Sequence, residues 1–373
     1  MKLIIAGDYC PRYGLKKIID QGDYSKIFYD IKRVVSNSDY AIVNLESPVI
    51  EGSETPIAKS GPSLGISFKA LEAIKYAGFN CVTLANNHFK DYGGKGCINT
   101  FNSLKKIEIE YVGAGVDLSD ASKVLYINKD ECKVAIINVC ENEFSIAATD
   151  SPGSNPLDLI SLYYSLSEAR SHANRVVVIV HGGNEHYDYP SPRMKKTYRW
   201  LVDMGADAVV NHHQHCYSGY EIYKNRPIVY GLGNFCFDKA DSKQSKWQEG
   251  YIIELDFKNE GIGLNCIPFV QCRDNYYVRI LSGAQSKLFF ERLKCLNAVI
   301  QDDVVLEQKY DSFMASEMSN KKLCLAPYDN KFFKYACKKG LLPSFISRQR
   351  KLFVLAHVQC ESLRDVFLYY LKH

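Results

Sequence analysis

The densest chemistry in this 373-residue chain lies in "VVNHHQH", residues 209 to 215. Three of its nine histidines, His212, His213 and His215, fall there within four positions. Four other stretches carry residues of the same kind. "IIAGDYC" brings Asp8, and "AIVNLESP" brings Asn44 and Glu46. "VTLANNHFKDYG" brings Asn86, Asn87, His88 and Asp91, and "VVIVHGGNEHYDYPSP" brings His181, Glu185 and His186. Imidazole together with carboxylate suits Mn, Fe or Zn better than Mg or Ca, which favour all-oxygen sites. A carboxylate can bridge two ions, and an asparagine carbonyl can fill a place without adding charge. Two ions about 3.5–4 Å apart clamp the oxygens of a phosphoryl group and activate water.

Taken singly, each stretch has an ordinary explanation. Gly-Asp after a strand is commonly a turn, and Asn-Asn-His can cap a helix. His-x-His at a strand end is stronger, because strand alternation points both imidazoles the same way. Five such stretches together make coincidence a poor explanation.

The elements that must position them read plainly. Each stretch follows a short apolar, β-branched run: residues 3–6, 41–43, 81–84, 176–180 and 208–210, with a further run at 134–139. Between these runs lie helical patterns at 24–35, 68–77, 95–105, 159–173 and 193–204. Strands alternating with helices of this length predict an α/β fold with largely buried sheets. In such folds sites are built beyond the carboxyl ends of strands. Beyond residue 228, "IVYGLGNFCF", "GYIIELDF" and "IGLNCIPFV" read as strands without intervening helices, hence hairpins. From residue 281 the pattern is helical, with Pro343 as a break, giving a body of 1–280 and a C-terminal extension of 281–373.

Net charge is only +4, which argues neither for nor against nucleic acid. The extension holds 15 Lys/Arg against 9 Asp/Glu, so the basic excess lies there and not in the body. Residues 331–351 hold seven basic residues and no acidic one, interleaved with apolar ones. Such a stretch can lie on an anionic membrane surface or polyanionic carrier, or form a solvated helix face. The final helical pattern has a broad apolar face that must pack on the body or on another copy, which leaves room for an oligomer. The opening "MKLIIAGDYC" is too short for a signal-peptide core, and the 13 cysteines show no CxxC spacing. The expected compartment is the cytoplasm.

"GD" at 7–8, "NLESPV" at 44–49, "LANNHFKDYG" at 84–93, "HGGNEHY" at 181–187 and "GADAVVNHHQHCYSGYEIY" leading to "PIVYGLGNFCFD" occur in one order over residues 1 to about 240. In these the chain resembles the bacterial capsule-synthesis (PGA-cap, poly-γ-glutamate capsule) family, a branch of the calcineurin-like metallophosphoesterases. The resemblance implies a four-layer α/β/β/α sandwich with two divalent ions at one edge. It places Asp8, Glu46 and His215 on the first ion, with Glu46 bridging, and Asn87, His181 and His213 on the second. It makes His88, oriented by Asp91, the general acid or charge stabiliser beside the leaving group. Three departures accompany it: Cys10 where the wider superfamily has histidine, Glu46 where it bridges with aspartate, and Asn211 with an additional His212. The extra histidine leaves His212 and His213 as alternatives, with His213 preferred because it shares a strand face with His215.

Secondary candidates line the expected rim. Lys59, in the loop "AKSGPS", could meet an anionic substrate or simply face solvent. Tyr187, Arg193 and Glu185 follow His181, and Arg193 suits phosphate recognition or a structural ion pair. Glu141 and Glu143 follow another strand. Gly233 in "GLGNF" lets backbone pass close to the metal edge. The function expected from all this is a metal-dependent hydrolase, a phosphoesterase in kind, acting on an anionic polymer or phosphorylated small molecule in capsule assembly. Its rival is a degenerate, non-catalytic assembly subunit, and nucleic acid ranks last among substrates.

Overall fold

The computed structural model describes residues 1–59, 61–239, 245–258, 261–272, 275–321, 330–341, 347–359 and 371. The first sheet takes its parallel half from β1 (Lys2–Tyr9), β2 (Tyr40–Leu45), β3 (Cys81–Thr83) and β4 (Glu110–Val112). The second takes β6 (Leu125–Lys129), β7 (Cys132–Cys140), β9 (Arg175–His181), β10 (Ala208–His212), β11 (Tyr220–Tyr223) and β12 (Arg226–Val229). The two-residue β5 (Ala114–Gly115) and β8 (Gly153–Ser154) pair outside both. The chain then returns to the first sheet with β13 (Glu249–Lys258), β14 (Gly261–Gln271) and β15 (Val278–Ile280), antiparallel hairpin strands. Among the described residues the orders are β15-β14-β13-β1-β2-β3-β4 and β11-β12-β10-β9-β7-β6.

Strand alternation stacks these sheets into layers. In β1, Leu3 and Ile5 face the second sheet, meeting Ile136, Val177, Ile179 and Val210 in one core. Ile4 and Ala6 face the other way, toward α1 (Gly14–Asp20), α2 (Tyr24–Val35), α3 (Phe68–Ala77) and α4 (Gly93–Lys106). Across the second sheet, Val176, Val178 and Val180 face α6 (Leu159–His172) and α7 (Pro192–Asp203), beyond the single turn α5 (Leu118–Ala121). Three cores between four layers give the α/β/β/α sandwich expected. Period-2 alternation buried on both faces is what made the strands read as continuous apolar runs.

Helix starts follow local chemistry. Ser191 caps α7 through its side chain, which accepts from the Met194 N–H at 3.1 Å, with Pro192 in the first turn. Asp158 caps α6 by accepting from Ser161 N at 2.8 Å.

Two expectations are corrected. "IVYGLGNFCF" is not one strand: β12 ends at Val229, and residues 233–236 run beside the end of β1 instead. Asp8 N donates to Gly233 O at 3.3 Å and Phe235 N donates to Asp8 O at 2.7 Å. This close passage needs glycine at both places. A Cβ on Gly7 would lie 1.9 Å from Gly233 O, and Gly233 itself sits at φ +78°. Second, α9 (Gly283–Gln301), grouped from sequence with the extension, belongs to the body. Phe289 is fully buried there, its ring 4.7 Å from Tyr217 and 5.9 Å from Tyr251.

The chain divides into two compact units, Met1–Glu307 and Gln308–His373. The first also holds the short α8 (Ser245–Gln248) and the start of α10 (Asp303–Lys321). The second holds the rest of α10, α11 (Lys331–Lys338) and α12 (Arg348–Gln359). Of the final helix expected from sequence, residues 360–370 lie outside the described residues. Among the described residues no helix is long and apolar enough to cross a membrane.

Candidate metal centre

All five chemically loaded stretches meet at the carboxyl ends of β1, β2, β3, β9 and β10, where the two sheets face each other. Asp8 is the penultimate residue of β1, where the pairing with β2 slips by one residue and sets Asp8 opposite Asn44. Such an irregularity re-aims a side chain. Glu46 follows β2, Asn87 and His88 follow β3, His181 ends β9, and His213 and His215 follow β10. Glu46, His181 and His213 form one group whose ligand atoms lie within 4.8 Å of one another; Asp8, Glu46 and His215 form a second. Glu46 is common to both.

Detailed contacts show Lewis bases converging. His181 Nε2 lies 3.1 Å from Asn87 Oδ1, 3.1 Å from His213 Nδ1 and 3.7 Å from Glu46 Oε1. His215 Nε2 lies 3.5 Å from Glu46 Oε1 and its Nδ1 3.7 Å from Asp8 Oδ2. Glu46 is fully buried, and neither carboxylate oxygen has a hydrogen-bond donor among the described residues. Buried polar groups are nearly always partnered, so an orphaned carboxylate amid imidazole nitrogens fits a cation.

Neighbouring amides hold these ligands. Asn44 Nδ2 donates to Asp8 Oδ1 at 2.7 Å, and its own oxygen accepts from Thr83 and Asn86. Asn234 Nδ2 donates to the His215 backbone oxygen at 3.0 Å, which turns Asn234 Oδ1 toward His215 Nδ1, 2.9 Å away. The Nδ1 proton is thereby fixed, and the Nε2 lone pair faces Glu46. Sequence reasoning quoted Asn234 within "GLGNF" but gave it no role; its signal was an amide directly after a glycine that passes the metal edge. Trp247, also missed, lies with its ring 4.7 Å from that of His215.

Electrostatics follow from burial. Burial pushes the Asp8 carboxyl up to about 7, against the Asn44 and His213 N–H bonds that lower it. Burial, then the Asp8 charge, drive Glu46 well above the usual carboxylate range. Burial lowers His181, His213 and His215, so their imidazoles stay neutral with lone pairs available. Neutral imidazoles present lone pairs to a cation, and a divalent ion bound there would displace the protons that burial keeps on Asp8 and Glu46.

His212 and His213 part company here. His212 closes β10 and its Nε2 lies 3.0 Å from the Ala6 carbonyl, away from the cluster. Burial pushes it down to about 4. His213 and His215 are not on a strand face, as alternation implied. Both lie past β10 in left-handed backbone, φ 92° and 56°, and this curl turns both rings toward Glu46.

The rim differs from expectation. Lys59 does not face an open site: it forms a buried ion pair with Asp91 Oδ1 and lies 3.1 Å from His88 Nδ1. His88 Nδ1 lies 2.6 Å from Asp91 Oδ2, which also accepts from Leu64 N at 2.7 Å. Arg193 pairs with Glu141, whose other oxygen accepts from Gly183 N. Tyr187 is buried, its carbonyl accepting from Gln214 Nε2. Glu185, His186 and Glu143 stand exposed at the mouth. Cys10 is buried in the outer core, and burial pushes its thiol up, so it offers no thiolate.

Fold and site together define a layered α/β protein with a buried imidazole–carboxylate centre between facing sheet ends. The chain belongs to the bacterial capsule synthesis protein PGA_cap family, which its residues 2–239 match. Capsule biosynthesis protein CapA of Bacillus anthracis is 30% identical over 277 residues, 72% of this chain and 67% of that protein. PGA biosynthesis protein CapA of Bacillus subtilis (strain 168) is 30% identical over 261 residues, 69% of this chain and 68% of that protein. A solved structure described as a novel phosphatase from Mycoplasma pneumoniae overlaps 72% of this chain and 93% of its own, with TM-score 0.44 and 18% identity.

Proposed function

We propose that this protein is a metal-dependent hydrolase, in kind a phosphoesterase, serving the assembly of a capsule or related surface polymer. Glu46 carries the reading. It is fully buried, unpartnered among the described residues, and set among Asp8, His181 and His215. A divalent cation would offset that desolvation penalty and take the place of the proton that burial otherwise keeps on Glu46. Asp8, Glu46 and His215 would hold one ion; Glu46, Asn87, His181 and His213 would hold the second. Mn, Fe or Zn suits these donors. Bound there, the ions supply Lewis-acid polarisation of a phosphoryl oxygen and a more acidic water. The chain's residues do the rest. Asn44 and Asn234 orient Asp8 and His215, and the buried walls exclude bulk water. Asp91 fixes His88 through Nδ1, leaving Nε2 to deliver a proton to the departing oxygen.

The surface-polymer role draws on the capsule relatives, and the substrate class is an anionic polymer or a phosphorylated small molecule. Nucleic acid ranks behind, because the basic excess lies in residues 281–373. Residues 331–351 would serve peripheral contact with an anionic membrane or the capsule machinery. The buried free thiols of Cys10, Cys81 and Cys140 favour the reducing cytoplasm.

One observation favours the rival, a non-catalytic binding subunit: Cys10 offers no ligand where related phosphoesterases have histidine. Turnover decides between them. Protein loaded with Mn is expected to hydrolyse p-nitrophenyl phosphate or its bis-ester, and His215→Ala and Asn87→Ala to lose at least about 100-fold. Equal turnover in wild type and both variants would remove the metal centre from the reaction.

A further inference from the structure

The cations that sequence offered for substrate recognition are engaged elsewhere. Lys59 is paired with Asp91, Arg193 with Glu141, and Lys246, also near the mouth, with Asp188. Lys239 differs. Its Nζ lies 3.4 Å above the centre of the Trp247 ring, and that ring lies 4.7 Å from the His215 ring. The ammonium is therefore one indole away from a ligand of the first ion group. Among the described residues it has no carboxylate within ion-pair distance; Glu185 acts on it only from farther off. It is partly buried, and burial lowers its pKa, which describes an ammonium wanting a counter-charge. Trp247 is itself held, its Nε1 donating to the Phe237 carbonyl at 2.6 Å. The indole is nearly covered, so it is a fixed shelf for the cation and not a stacking platform for a ring of the substrate.

We propose that Lys239, seated on Trp247 beside His215, is the residue that binds the phosphoryl anion of the substrate at this centre. This rests on the metal-centre reading and adds the group that recognises charge. The mouth otherwise carries exposed Glu143 and Glu185, which repel anions. Set against that field, the Lys239 ammonium marks the His215 side as the place where a phosphate enters. Lysine acts here as a point charge on a long, flexible stem.

Inorganic phosphate is the probe. Full-length wild type, Lys239→Met and Lys239→Arg are each loaded with Mn, metal per chain is counted, and phosphate affinity is measured by equilibrium dialysis. Methionine keeps a flexible apolar side chain against Trp247, and an unchanged far-UV circular dichroism spectrum and thermal midpoint report that the fold is retained. The expected result is unchanged metal, phosphate binding about tenfold weaker in Lys239→Met, as for a lost charge-assisted bond, and near wild-type binding in Lys239→Arg. Equal phosphate affinity in wild type and Lys239→Met, or no phosphate binding by wild type, overturns the assignment even when metal is present. Phosphate binding that depends on Lys239 in a protein that takes no metal overturns the metal-centre reading and leaves the assignment standing.

Discussion

Glu46 and Asp8 share a cavity in which neither carboxylate ionises easily, and this gives the metal-free protein a particular pH signature. A carboxyl whose native pKa is raised keeps its proton when the unfolded chain has released it, so rising pH favours unfolding. The buried histidines work in the opposite sense, but only up to their ordinary value of 6.5. Above it the unfolded imidazoles are neutral too, while Asp8 near 7 and Glu46 well above its usual range still lose ground. Chelated protein is therefore expected to lose stability between pH 6.5 and 8 in thermal unfolding. Excess Mn should abolish the loss, and Glu46→Gln should reduce it without metal. A flat or rising profile in chelator would contradict these assignments. Lys59 makes a separate prediction. Its ion pair with Asp91 is buried on both sides. Lys59→Met removes the cation from a buried carboxylate that keeps only His88 and the Leu64 N–H, and should cost about 3 kcal/mol in urea unfolding. Lys59→Met with Asp91→Asn should recover part of that loss; no recovery would mean that Lys59 acts through packing alone.

At the scale of elements, the sandwich was legible because its parallel strands are buried on both faces and end in polar punctuation. Asp8, Glu46, Asn87, His181, His213 and His215 are legible as residues at or just past strand ends, and the structure brings them together. What stayed hidden depends on geometry without a period. The left-handed backbone at His213 and His215 converges two rings that alternation alone assigned to a strand. The return of residues 233–236 along β1, far away in sequence, brings Asn234 behind His215 with no periodicity to announce it. Nothing local in "AKSGPS" says that Lys59 reaches Asp91, and two-residue strands such as β5 and β8 have no alternation to read. The Asn234 contact is testable on its own. Asn234→Ala releases His215 Nδ1 and should weaken Mn binding about 10–100-fold, by titration, with little change in the metal-free fold. Unchanged affinity would show that the ring is held by packing on Trp247.

Across the whole molecule, three cores fix the two sheets, and the sheets hold the ends of five strands over one small volume. Precision at the centre therefore comes from the sandwich, which fixes the strand ends, together with the short turns just beyond them that carry Glu46, Asn87, His213 and His215. Ligand binding to the native state alone stabilises it by mass action, about 2.7 kcal/mol at a hundredfold excess over Kd. The family of this chain, its layered fold and the unpartnered Glu46 meet in one central claim, that the buried cluster holds divalent metal. The most direct test is elemental analysis of protein purified without chelator, for wild type and for Glu46→Gln. About two Mn, Fe or Zn per chain in wild type, as two-ion phosphoesterase chemistry requires, with loss in Glu46→Gln, is the predicted result. Metal-free wild type that added Mn or Zn cannot fill would contradict it.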